Sequence, residues 1–186
     1  MTAPSPPTPQ SNLPSRAVPA GTARSRTVTG QEPLDALDAE LLLALTDEPR
    51  APVAALAQRL GLSRNTVQAR LGKLRRRSVL RSFERRIDPA ALGYPLSAVI
   101  TTRVRQRRLE EVADALARIP EVVEVDGLSG DTDLLVRVVA TDADDLYRIA
   151  GRVLAAPGVE RTSTALVMRE LVRHRLTPLL RRSAGD

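Results

Sequence analysis

Apolar residues recur at helical spacing near the start of the patterned chain. Leu37, Leu41 and Leu45 stand four apart, which places them on one face of a helix. Asp35 and Asp38 lie at its beginning, and either is suited to cap the first turn. Asp47-Glu48-Pro49-Arg50 interrupts the pattern. Pro52 then sits where a first helical residue loses nothing by lacking an N–H, so a short second helix is expected to run to Leu60. Gly61 is placed to take the left-handed conformation that ends it, and Ser63 to cap a third helix through its hydroxyl. Val67, Leu71 and Leu74 form the inward stripe of that third helix and face Leu56, Leu60 and the first helix. Leu62 and Val67 flank the cap as a hydrophobic staple.

The period changes after Ser78. Val79 to Asp88 alternates apolar and polar residues loosely enough to predict a strand, and Pro89, Gly93 and Pro95 punctuate a linker. A second set of elements follows: strand Leu96 to Arg105, helix Arg107 to Ile119, strand Val122 to Leu128, strand Leu134 to Ala140, helix Ala143 to Leu154 and strand Val159 to Leu171. This half is internally duplicated at a spacing of 37 residues, which matches Leu109 with Leu146, Val112 with Ile149, Leu116 with Val153, Pro120 with Pro157 and Val122 with Val159. Two copies are too few for a solenoid. Two strand–helix–strand units instead predict the split βαβ, ferredoxin-like sandwich. The fold class is therefore α+β, an N-terminal three-helix helix-turn-helix domain linked to a ferredoxin-like βαββαβ sandwich. Helices cover one sheet face; the other, assigned Val99, Thr101, Val136, Val138 and Leu166, is expected to take a second subunit. The divisions are a disordered basic tail at 1–32, the helix-turn-helix domain at 33–78, a strand-containing linker at 79–94, the βαββαβ domain at 95–175 and a C-terminal tail at 176–186.

Charge narrows the partner. The 186 residues carry 28 Lys plus Arg against 22 Asp plus Glu, a net charge of +6, which favours an anionic partner, nucleic acid before a membrane surface. Lys73 is the only lysine; arginine suits forked contacts to phosphate and guanine, although the codon bias of a GC-rich genome gives the same excess. The absence of cysteine excludes disulfides, zinc knuckles and thiol catalysis. One histidine, His174, leaves little for a histidine-based active site. No apolar run approaches the roughly 18 residues of a membrane span, so a soluble, cytoplasmic, nucleoid-associated protein is expected, with no membrane, metal or cofactor.

From Ser63 to Arg77 there is no acidic residue. Asn65, Ala69, Gly72 and Arg76 fall opposite the apolar stripe, with Gln68 and Lys73 on its flanks. This pattern fits either a solvated basic helix or one that enters the major groove. In the second case Asn65 and Gln68 reach adenine edges, Arg76 reaches guanine or phosphate, and Ala69 and Gly72 permit close approach. Gly72 costs a helix interior about 1 kcal/mol relative to alanine, a loss that needs a compensating use. The candidate DNA-binding set is Ser63, Arg64, Asn65, Thr66, Gln68, Ala69, Arg70, Lys73, Arg75, Arg76 and Arg77.

Several stretches resemble the leucine-responsive/asparagine-responsive (Lrp/AsnC, feast-or-famine) regulators. They are Leu34-Asp35-Ala36-Leu37-Asp38, Leu60-Gly61-Leu62-Ser63, Val67, Arg70, Leu71 and Leu74, then Ser129-Gly130-Asp131-Thr132-Asp133, and Pro157 through Thr164. The resemblance spans Leu34 to about Arg173 in the family's order. It implies a DNA-binding transcriptional regulator, dimers that assemble further to octamers, and an amino acid or related metabolite bound between dimers. By spacing alone, Ser129 to Asp133 is only a tight turn. The resemblance implies that Ser129, Gly130, Asp131 and Asp133, with Thr162 and Thr164, line the effector pocket. Enzymes that decarboxylate sirohaem resemble the same two-domain plan and use histidines; His174, between two arginines past the last strand, is given no catalytic role. The remaining alternative is a stand-alone sensing module whose basic helix serves solubility.

Overall fold

The computed structural model describes residues 32–185; the tail expected at 1–32 lies, but for Glu32, outside them. Helix α1 (Ala36–Asp47) is capped by Asp35, whose carboxylate accepts the Asp38 N–H at 2.7 Å. Helix α2 (Val53–Leu60) begins after Pro52, which stands at the cap rather than inside the helix, and ends on Gly61 at φ +65°. Helix α3 (Arg64–Arg76) is capped by Ser63, which accepts the Thr66 N–H at 3.1 Å. Leu41, Leu56, Val67, Leu71 and Leu74 make the core of this trihelical unit, with Leu62 against it.

The expected strand at Val79–Asp88 is absent. The segment instead forms two short 3-10 turns, Phe83–Arg86 and Pro89–Leu92. A strand needs a ladder partner for its backbone groups, and no strand of the described residues lies beside this one. Side chains fix the linker instead: Arg85 reaches across to Glu124 at 2.5 Å, and Arg137 stands 3.5 Å from the same carboxylate. The Arg85 hydrogen bond, more than either arginine's field, holds the Glu124 carboxyl below its usual range despite partial burial.

The second unit contains β1 (Leu96–Val104), α4 (Leu109–Ala117), β2 (Val122–Gly127), β3 (Leu134–Ala140), α5 (Ala143–Leu154) and β4 (Val159–Leu166). Its sheet has the order β2-β3-β1-β4, antiparallel throughout, as two interleaved βαβ halves require. β4 stops five residues short of expectation, because the chain of β1 leaves the sheet before Leu96; only the Val167 N–H still reaches the Ser97 carbonyl, at 2.9 Å.

Register corrects the assignment of sheet faces. Ala98, Ile100, Val136 and Val138 are buried with Val112, Leu116, Ile149 and Val153 beneath α4 and α5. Val136 and Val138 therefore belong to the covered face, and Leu166, opposite Ala98, points to the same side. The open face carries Val99, Thr101, Arg103, Leu135, Arg137, Ser163 and Ala165, alternating with the buried set as a pleat demands.

The expected C-terminal tail is a helix, α6 (Thr177–Ala184), which lies against α1. Pro178 occupies its first turn, Arg181 and Arg182 its last, and Gly185 at φ +100° ends it. Those are ordinary helix boundary signals. Among the described residues no helix is long and apolar enough to cross a membrane.

Gly158, in the turn before β4, has φ +102°, and a Cβ there would stand 3.0 Å from Val112 Cγ2 and 3.1 Å from Arg108 Cβ. Val112 is fully buried and has no room to retreat. Gly158→Ala should therefore cost about 2–4 kcal/mol, combining left-handed strain with overpacking. Gly130→Ala, at φ +138° with open space around it, should cost about 1–2 kcal/mol from backbone strain alone. Urea denaturation of both variants measures the difference; equal losses would show that Val112 gives way.

Candidate nucleic-acid interface and effector cleft

The α2–turn–α3 arrangement presents one side of α3 to solvent. Ser63, Arg64, Asn65, Thr66, Gln68, Ala69, Lys73, Arg75 and Arg76 all lie on the accessible side of the helix and its cap. The hydroxyls of Ser63 and Thr66 bond each other at 2.8 Å, so both serve the cap at the helix N-terminus. Arg64, Lys73, Arg75 and Arg76 form no ion pair among the described residues. A Cβ at Gly72 would stand 3.2 Å from an Arg76 guanidinium nitrogen; the glycine leaves that side chain room to lie along the helix.

Two cations expected on this surface are committed elsewhere. Arg70 donates to Asp35 at 2.7 Å and to Asp38 at 2.7 Å, tying α3 to the start of α1. Asp38 is fully buried and its second oxygen, Oδ2, has no partner, so Arg70 is the group that compensates its charge. Arg77 is mostly buried and reaches the Glu32 carbonyl and carboxylate at the entrance to α1. Both arginines position α3 rather than extend its exposed face.

The Arg70 hydrogen bond, followed by the Asp38 N–H, holds Asp35 below its ordinary value of 3.8. A carboxyl with a depressed folded pKa stabilises the fold above its unfolded pKa, and that stabilisation fades as pH falls through the folded value. The wild type should thus lose helix-turn-helix stability below about pH 4. Arg70→Gln leaves Asp38 buried without its counter-charge and should cost about 2–3 kcal/mol at neutral pH, less than a fully buried pair because Arg70 is partly exposed. It should also flatten the acid limb. Urea midpoints between pH 7 and pH 3 measure both effects; an unchanged neutral midpoint would show the triad to be incidental.

On the open sheet face, Thr101 and Arg103 of β1, Asp131 and Thr132 of the β2–β3 turn, and Arg161, Thr162 and Ser163 of β4 surround a cleft of about 270 Å³. Asp131 and Thr162 are the expected residues among them. Ser129 and Gly130 lie in the same turn but outside the lining, and so does Thr164, one pleat along β4. Asp133 is held away: its Oδ2 accepts the Val104 N–H at 2.8 Å and its Oδ1 the Gln106 side-chain amide at 2.6 Å. It fastens the turn to the end of β1. Sequence reasoning misses Arg161 and Arg103, which donates to the Asp131 carbonyl at 2.9 Å. Arg161 falls inside the family-like segment Pro157 to Thr164, but its opposition to Arg103 depends on strand register. His174 is exposed on the segment before α6, apart from the cleft.

The AsnC-type helix-turn-helix model matches residues 34–75 and the Lrp/AsnC ligand-binding domain model matches residues 97–177. A relative, the HTH-type transcriptional regulator FL11 of Pyrococcus horikoshii, is 35% identical over 137 residues, covering 74% of this chain and 91% of its own. The chain belongs to the Lrp/AsnC family. It is a transcriptional regulator of that type, with a DNA-binding unit and a ligand-binding unit. The regulator AldR of Mycolicibacterium smegmatis is 34% identical over 142 residues, 74% of this chain and 83% of its own. Among solved structures, a Neisseria meningitidis regulator in complex with L-Met superposes at TM-score 0.67 with 25% identity, covering 79% of this chain and 99% of that one. E. coli AsnC shares the fold at TM-score 0.70 with 21% identity, covering 79% of this chain and all of its own.

Proposed function

We propose that this Lrp/AsnC regulator works as a homodimer or larger assembly that binds double-stranded DNA through paired α3 helices and is tuned by an amino acid or related metabolite. It acts by binding, with no reaction catalysed. The observation that carries the reading is the exposed face of α3, where Arg64, Lys73, Arg75 and Arg76 surround Asn65 and Gln68 without an acidic neighbour on the helix. Cations without partners attract phosphate, and the two amides are placed to read base edges. The effector class rests on the ligand-binding domain and on a relative of known structure that carries L-Met.

The open sheet face supports the assembly. Val99, Leu135 and Ala165 are apolar positions on a face that neither α4 nor α5 covers, and a two-layer domain leaves such a face for another subunit. DNA binding by fluorescence anisotropy, with and without each of the twenty amino acids, tests the reading. Sequence-selective, salt-sensitive binding that shifts with at least one amino acid supports it. Salt-insensitive or absent binding to genomic fragments would overturn it.

A further inference from the structure

The register of β1 against β4 puts Arg103 directly opposite Arg161. Like charges in that relation destabilise an antiparallel pair. Neighbouring arginines are neutralised: Arg105 meets Glu160 at 3.1 Å, Arg108 meets Glu111 at 2.6 Å, and Arg137 lies 3.5 Å from Glu124. Arg103 has only the carbonyl of Asp131, and Arg161 has no partner among the described residues. Both line the same cleft, where Thr101, Thr132 and Ser163 add hydroxyls and Asp131 adds one carboxylate.

We propose that this cleft binds a small molecule of net negative charge, an amino acid with an acidic side chain or a simple dicarboxylate, in preference to a neutral zwitterion. The two arginines are paired on adjacent strands and line one cleft, where a carboxylate fork would neutralise both guanidinium groups. The hydroxyls donate to the remaining ligand oxygens. Two cations against one carboxylate leave an excess positive charge, so a zwitterion leaves one guanidinium unmatched and a dicarboxylate does not. Asp131 accepts an ammonium where the ligand carries one. The volume, about 270 Å³, lies below the roughly 300–1,000 Å³ of pockets for drug-sized ligands and suits a metabolite of this size.

The inference rests on the reading of this domain as a sensor and names the chemistry of its ligand. Calorimetric titration and thermal shift of the full chain at matched ionic strength test it, with L-glutamate, L-aspartate, succinate and inorganic phosphate set against L-glutamine, L-asparagine and L-leucine. An acidic compound should bind at least about tenfold more tightly than its amide or neutral counterpart. R161Q and R103Q should each erase that preference, whereas R118Q, which removes an equal charge at the end of α4, should keep it. Without ligand, R161Q should melt at or above the wild-type temperature, because it relieves repulsion. Binding of neutral amino acids with none of the anions would overturn the anionic assignment while leaving the sensor reading intact. No response to any compound would overturn both. Dissociation of the assembly by R161Q would show instead that the pair meets carboxylates of a second copy. Tight binding of phosphate alone would replace the carboxylate by a phosphate ligand and overturn the proposed class.

Discussion

Replacing Arg64 and Arg75 with glutamine lowers affinity for every DNA sequence alike, by roughly tenfold to a hundredfold per subunit at about 0.1 M salt. Both side chains are exposed and flank the stripe formed by Asn65, Gln68, Ala69 and Arg76, a position from which they are expected to meet phosphates rather than bases. A phosphate that no arginine neutralises keeps its condensed counterion. The slope of log K against log salt should therefore shrink by about 0.9 for each substitution. Gln68→Ala behaves differently. It should leave the salt slope unchanged and relax preference at one base pair, at a cost of about 1–3 kcal/mol. Anisotropy titrations at several salt concentrations, joined to a selection of bound fragments, separate the two outcomes. A Gln68→Ala protein with full affinity and an unchanged base preference would remove this face of α3 as the reading surface. Arg70→Gln provides the contrast, since its DNA defect should follow loss of folding and vanish where the domain is held folded at low temperature.

The helices of the first unit are legible in the sequence because their apolar spacing, caps and the Gly61 turn are local. The same holds for β3 and α5, which run from Leu134 to Ala140 and from Ala143 to Leu154 as the pattern predicts. What the pattern gets wrong depends on distant partners. Val79 to Asp88 alternates like a strand but has no strand beside it, and β4 ends where β1 no longer accompanies it. Arg70 reads as one more cation of a basic helix; its commitment to Asp35 and Asp38 joins residues more than thirty positions apart. The face to which Val136 and Val138 belong is a matter of parity, and a one-residue error inverts it. The family resemblance brings the turn at Ser129 to Asp133 beside the last strand, yet Arg103 and Arg161 become visible as one pair only when β1 and β4 are aligned. The helix α6 is a different case, because Pro178 and Gly185 mark its ends in the sequence while the short arginine-rich segment between them reads as tail.

Parity also supplies the most damaging single change outside the DNA face. Val99 is half-buried at the middle of β1, opposite Arg137 on β3 and Ala165 on β4. Val99→Glu should leave the subunit folded, because the new carboxylate lies next to the Arg137 guanidinium and remains in water on an uncovered face. The same group is costly once a second sheet closes over it, since a buried charge requires full pairing. The variant should sediment as a monomer at micromolar concentration and retain the wild-type helical signal. Its DNA affinity should fall further than any single α3 substitution achieves, by about 10²–10⁴, because two half-sites are then bound independently rather than at the effective concentration set by the dimer. Binding to an isolated half-site should change little, which separates loss of pairing from damage to α3. If Val99→Glu kept the wild-type mass and operator affinity, the open face would not join the subunits, and the association would have to be sought along the exposed segment from Leu166 to Leu179, where Met168, Leu171, Val172 and Leu176 are also exposed.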